Sequence, residues 1–233
     1  MFSLISLKNV TKSFGEKSAK FQVIKGIDLD INDHEFVVLL GPSGSGKTTL
    51  LNMISGLEVV DDGSINYDST DITSLSNSKS IKFRRENIGY IFQQYHLLPN
   101  LTVKENIELG ASDKQQYKEI DQMLEKVGLE NHRDKLPSEL SGGQQQRTSI
   151  LRALIKKPKV LICDEPTGAL DQKSGIAVLE LIQKFYEESD MTVIMVTHND
   201  KIAHLANKVI YIKDGVIERT EENTPKKINE IEW

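Results

Sequence analysis

The chain has 233 residues, with 29 Lys plus Arg against 34 Asp plus Glu and a formal net charge of -5, enough for one large domain with a substantial core and too acidic for general nucleic-acid affinity. A single cysteine, Cys163, excludes an intrachain disulfide and fits a reducing compartment. Residues 1–10 show no secretory leader, and the longest apolar runs fall far short of the about 20 residues that span a bilayer, so a membrane role is expected only through a partner.

In chain order, 21–31 contains Ile27, Asp28, Leu29, Asp30 and Ile31, the alternation of a half-buried strand in an antiparallel layer. Phe36–Leu40 is an unbroken apolar run, the pattern of a buried parallel strand. It feeds Gly41, Pro42, Ser43, Gly44, Ser45, Gly46, Lys47 and Thr48, which fit G-x-x-x-x-G-K-[ST]; Thr49 follows, in a helical pattern over 47–55 that Gly56 can cap. Residues 87–92 and 159–163 read as further short strands. Between them, Thr102 and Glu105 form a capping box for a helix entering at Val103, and 113–127 is patterned as a helix stopping at Gly128. Ser141 with Gln144 forms a second capping box, opening a helix that ends before Pro158. Thr192–Val196 is another buried strand, and 209–212 and 216–218 flank Asp214-Gly215 as a hairpin. From about Thr220 the chain is charged and without periodicity. These elements predict an α/β domain over 1–219, with a helical lobe at 94–157 inserted into a core of 1–93 and 158–219, and a charged tail at 220–233.

The chemistry concentrates at three places. Glycines in the 41–48 loop let successive N–H groups converge on phosphate oxygens, Lys47 reaches the β and γ phosphates, and the Thr48 hydroxyl is a ligand for Mg²⁺. No N-K-x-D motif follows the loop, which argues against a small GTPase. Asp164 and Glu165 stand at the C-terminal tip of a buried strand, where open α/β sheets bind ligands. Asp164 is suited to hold Mg²⁺, directly or through water, and Glu165 to accept a proton from an attacking water. Leu140, Ser141, Gly142, Gly143 and Gln144 then offer a second anion cradle of N–H groups, a hydroxyl and a helix N-terminus. Two cradles and one set of hydrolytic residues point to a nucleotide held between two copies.

With L-S-G-G-Q at 140–144, the chain resembles the ATP-binding cassette (ABC) family, whose motifs it matches in order over about residues 3–219. The resemblance implies a P-loop NTPase (RecA-like) core with an antiparallel β subdomain and a helical lobe, ATP and Mg²⁺ as ligands, and ATP hydrolysis. It further implies that Gln93 is the Q-loop glutamine contacting Mg²⁺ or water, that His198 contacts the γ phosphate, and that Asp171 lies in the loop along a dimer seam. Asp171 can equally cap a helix. Phe14 is placed to stack on adenine, with a core position as its alternative. The implied partners are a second ATPase subunit, expected to be identical, and a membrane permease contacted near Gln93 and the segment 95–106, which opens on Tyr95 and closes on Asn106. No nucleic-acid partner is implied. Residues 88–94, 98–102 and 164–171 are most similar to the lipoprotein-release and macrolide-export group, which includes bacterial antimicrobial-peptide transporters and the cell-division ATPase. That likeness implies a place on the cytoplasmic face of the membrane and export or extraction of a hydrophobic, peptide or lipoprotein substrate. The alternative is a mechanical or regulatory ATPase that controls an enzyme outside the membrane and moves nothing. Thr148, Ser149 and Leu151 depart from the group's smaller apolar residues, and the segment between Gly110 and Tyr117 is short.

Overall fold

Strands β1 (Ser3–Phe14) and β2 (Phe21–Asn32) pair antiparallel, with Ile5 opposite Ile31, Leu7 opposite Leu29 and Val10 opposite Ile27. The alternation expected at 27–31 holds: Ile27, Leu29 and Ile31 are buried while Asp28 and Asp30 are exposed. The sequence pattern does not reveal β1. Register shifts between Leu7 and Val10 and between Lys12 and Ser13 break its period of two, so its apolar residues do not alternate cleanly. The structure, a computed structural model, describes residues 3–15 and 20–233.

Strand β3 (Phe36–Leu40) is buried along its whole length, each Val or Leu contributing about 1.5–3 kcal/mol by leaving water. Helix α1 (Lys47–Ile54) follows, with Ser55 at its C-cap and then Gly56, whose φ of +68° ends the helical backbone as expected. β4 (Asp62–Tyr67) and β5 (Thr70–Asp71) complete an antiparallel sheet in the order β2-β1-β4-β5. Helix α2 (Asn77–Asn87) buries none of its side chains.

Residues 85–191 form one compact unit; those before 85, with 192–232, form the other. In the 85–191 unit, β6 (Ile88–Ile91) lies parallel to β7 (Val160–Asp164), Gly89 opposite Leu161. Between them run α3 (Val103–Glu108), α4 (Ile120–Lys126) and α5 (Gly142–Leu154), and α6 (Gln172–Glu187) follows β7. The α3 capping box is complete: the Glu105 N–H donates to Thr102 Oγ1 at 3.2 Å and the Thr102 N–H to Glu105 Oε2 at 2.8 Å. The helix expected over 113–127 is shorter, beginning only at Ile120 after a tight turn over Gln116–Glu119. Asp113 accepts from the N–H groups of Gln115 and Gln116, and the Ser112 N–H donates to Gln116 Oε1, so side chains take the bonds a helix start needs.

In the other unit, β8 (Thr192–Val196) and β9 (Lys208–Lys213) flank β3 in parallel, and β10 (Val216–Glu222) returns antiparallel to β9 across Asp214-Gly215. β10 reaches Glu222, past the position where periodicity is lost in the sequence. Beyond it the chain docks: Ile228 and Ile231 are buried, and the Lys226 N–H donates to the His204 carbonyl at 2.7 Å. Among the described residues no helix is long and apolar enough to cross a membrane.

The same unit holds a buried ion pair. Lys208 Nζ lies 2.8 Å from Glu35 Oε1, whose other oxygen accepts from the Asn32 N–H at 2.7 Å. Lys208→Met should therefore destabilise the protein by about 3–5 kcal/mol, because the buried Glu35 carboxylate loses the cation paired with it. A change under about 1 kcal/mol in urea unfolding would show that Glu35 is hydrated instead.

Candidate functional site

In the unit containing β3, the strand's C-terminal end opens into the 41–48 loop. A side chain at Gly41 is impossible, since a Cβ there would lie 2.0 Å from the Ile212 carbonyl oxygen. Gly46 has φ +99°, and a Cβ on it would strike the Ile24 methyl at 2.8 Å. Glycine at both positions lets the loop lie close against β9 and β2. Pro42, Ser43 and Gly44 are exposed, Thr48 is exposed and Thr49 half-buried. Helix α1 begins with no side-chain cap and no acidic residue in its first turn, so its N-terminal N–H groups and dipole can receive an anion. Lys47 is buried, and its Nζ donates to the carbonyl oxygens of Gly41 and Pro42, each at 2.8 Å. The Ser45 hydroxyl is buried without a hydrogen-bond partner, an orphaned donor inside a loop of N–H groups that fits an acceptor as strong as a phosphate oxygen.

His198 is exposed just beyond β8. The Thr197 N–H before it donates to the Leu39 carbonyl at 3.3 Å, so the histidine leaves the sheet beside the strand that feeds the loop. Phe14 is 44% exposed, which removes the core alternative. Its direct cross-strand partner is Phe21, 66% exposed, and paired residues project from one face of the β1–β2 hairpin. Lys12 Nζ lies 5.3 Å from the Phe14 ring centroid.

In the 85–191 unit, Asp164 closes β7 and Glu165 follows with φ +46°, a conformation that costs roughly 1–3 kcal/mol outside glycine. The Gly168 N–H closes this turn onto the Glu165 carbonyl at 3.0 Å. A Cβ on Gly168 would lie 2.7 Å from Gln93 Nε2 and 3.2 Å from Glu165 Oε2, so the amide and the carboxylate converge on one small space. Burial first, and the Asp164 charge second, push the Cys163 thiol and the Tyr90 phenol well above their usual ranges. Cys163 is thus a buried, protonated packing residue.

Helix α5 begins at the second cradle. Ser141 Oγ accepts from the Gln144 N–H at 3.4 Å, and the Ser141 N–H donates to Gln144 Oε1 at 2.8 Å, the reciprocal capping expected from the spacing. A Cβ on Gly143 would touch Ser174 at 3.4 Å, and one on Gly142 would lie 2.8 Å from the Tyr95 hydroxyl. The cradle therefore adjoins both the segment after Gln93 and the start of α6. Asp171 caps α6, and hydrogen bonds from the Ser174 N–H at 3.0 Å and hydroxyl at 2.7 Å hold its carboxyl below the usual range. One unit thus brings together Gln93, Ser141 to Gln144, Asp164, Glu165 and Asp171; the other carries Phe14, the 41–49 loop and His198.

Phe21, Arg152 and Gln146 do not stand out in the sequence, and Tyr95 does so only as the start of the 95–106 segment. Phe21 has a readable signal, an aromatic residue two places before the apolar strand residues that reach Gly46. Arg152 donates to the carbonyls of Tyr95 and His96, Tyr95 packs on Gly142, and Gln146 is wholly buried behind the cradle. For Gln146 the readable signal is helical spacing with Ile150 and Ala153, both buried.

The sequence profile described as "ABC transporter" matches residues 24–168. The chain is 49% identical over 235 residues to the putative ABC transporter ATP-binding protein MG065 of Mycoplasma genitalium, covering 99% of this chain and 50% of that protein. It thus spans about half the length of the first curated relatives it matches. It is also 42% identical over 220 residues to the bacitracin export ATP-binding protein BceA of Halalkalibacterium halodurans, covering 92% of this chain and 87% of that one. Among solved structures, the dimeric post-hydrolysis state of the ATP-binding cassette MJ0796 (Methanocaldococcus jannaschii), bound to ADP and Pi, superposes with a TM-score of 0.86 and 38% identity over 95% of this chain and all of that one.

Proposed function

This chain belongs to the ABC transporter family, whose cassettes hydrolyse ATP on a P-loop NTPase fold, and we propose that it is one half of a two-cassette ATP switch driving a separate membrane permease. One observation carries this reading. The chain holds two anion cradles, at 41–48 and at Ser141 to Gln144, and a strained carboxylate, Glu165, that converges with Gln93 at the tip of β7.

In this reading the adenine stacks on Phe14. The loop from Gly41 to Thr49 holds the phosphates, through its N–H groups at every position but Pro42, and Lys47 exchanges its loop carbonyls for β and γ phosphate oxygens. Thr48, Asp164 and Gln93 supply oxygen donors of the kind Mg²⁺ prefers, and the bound ion would neutralise charge on the β and γ phosphates. Glu165 takes a proton from the attacking water. His198 meets charge that develops on the transferred phosphoryl group. Ser141, Gly142, Gly143 and Gln144 of a second, identical copy complete the γ-phosphate shell, with Asp171 along the seam, so ATP joins the copies head to tail and hydrolysis releases them. Motion passes to the permease at Gln93 and 95–106, within a helical lobe of 94–157, on the cytoplasmic face of the membrane. The likeness to a bacitracin exporter's ATP-binding protein favours export or extraction of a peptide, lipoprotein or other hydrophobic substrate.

The first test is at Lys47. Lys47→Ala should weaken ATP binding roughly 10- to 100-fold, since charge-assisted hydrogen bonds contribute about 1.5–3 kcal/mol. Unchanged affinity by calorimetry would remove the 41–48 loop from the nucleotide site.

A further inference from the structure

Gln146 lies on α5, two residues past the cradle, and is 0% exposed. Its Nε2 donates to the Pro166 carbonyl at 2.6 Å and, over a longer 3.4 Å, to the Phe92 carbonyl. Those two carbonyls belong to the residue directly after Glu165 and the residue directly before Gln93. One amide thus fastens, from inside, the backbone positions from which both converging side chains project.

Both partners are acceptors, so the amide must turn its NH₂ end toward them. Its Oε1 is consequently buried with no donor. A residue kept only to fill volume would be better served by leucine or methionine, which remove the unsatisfied oxygen at similar size. Gln146 instead supplies two N–H groups at one point, one residue past Glu165, whose φ of +46° is a conformation that its surroundings must hold.

We propose that Gln146 is a positioning residue that couples helix α5, and with it the second anion cradle at the helix start, to the geometry of Glu165 and Gln93. This rests on the reading of Glu165 as the general base. When α5 is seated by a nucleotide on its cradle, the amide sets Glu165 and Gln93 together. When α5 shifts, both lose register.

The test uses the full chain and compares ATP affinity, turnover and thermal stability. Gln146→Leu should fold and bind ATP like the parent, melting somewhat lower because the Pro166 and Phe92 carbonyls lose a buried donor, while kcat falls ~10- to 100-fold, the scale of an ångström-level misplacement. In a Glu165→Gln background the same substitution should cost less in single-turnover hydrolysis than in the parent, because one of the two groups it positions is gone and only Gln93 is left to lose register. Gln146→Glu can donate to the carbonyls only when protonated, so its turnover relative to the parent should rise as pH falls from about 8 to about 6. Wild-type kcat in Gln146→Leu, an equal loss in both backgrounds, or a flat activity ratio for Gln146→Glu would each overturn the proposal. If Gln146→Leu does not fold, the Gln146→Glu profile decides. Should Glu165→Gln itself turn over normally, the general-base reading fails and takes this inference with it. A slow Glu165→Gln beside a fast Gln146→Leu removes only the positioning role.

Discussion

Glu165→Gln should bind ATP with parental affinity, hydrolyse it at least ~10²-fold more slowly, and accumulate as an ATP-bound dimer. The affinity is expected to hold because the phosphate contacts assigned to Lys47 and the 41–48 loop are untouched. The rate falls because an amide of nearly the same shape cannot accept the proton of the attacking water. Shape matters here: Glu165 shares its space with the Gln93 amide and the Gly168 backbone, so an isosteric change leaves the turn intact and isolates the chemistry. The dimer accumulates because only hydrolysis removes the ligand both cradles share. Light scattering with ATP and a phosphate-release assay read the two effects separately. Normal turnover would show that Glu165 is not the base, whatever the dimer does.

Much of this site is legible in the amino-acid sequence because phosphate chemistry demands particular residues at fixed spacing. A loop that must present N–H groups needs glycine where Gly41 abuts the Ile212 carbonyl and where Gly46 takes φ +99°, and those needs are written into the chain. Strands buried on both faces, such as Phe36–Leu40 and Thr192–Val196, announce themselves as apolar runs. Capping boxes at Thr102 and Ser141 are local and equally readable. What is illegible is non-local or irregular. Bulges hide β1, and Asp113 diverts the backbone N–H groups that would have extended α4. Gln146 bonds to backbone carbonyls 54 and 20 residues away, and a carbonyl leaves no mark in a sequence.

Adding Ser141→Arg to Glu165→Gln should abolish the ATP-bound dimer while each separate subunit still binds nucleotide. Ser141 is exposed, and its role within its own chain is to cap α5, so its loss weakens that helix by about 1 kcal/mol and leaves the fold standing. The substitution also replaces a hydroxyl by a long guanidinium side chain at the point where, in the proposed closure, backbone N–H groups of Gly142 and Gly143 must come within about 3 Å of a phosphate oxygen. Arginine could pair with the phosphate only from a greater distance, holding the two cradles apart. The consequence is specific: monomer affinity for ATP, carried by the 41–48 loop, stays parental, and only association is lost. Equilibrium sedimentation of the double variant with ATP gives the answer. A dimer as stable as that of Glu165→Gln alone would mean that the Ser141 to Gln144 cradle does not face the nucleotide of a second copy, and its N–H groups would then need another anion.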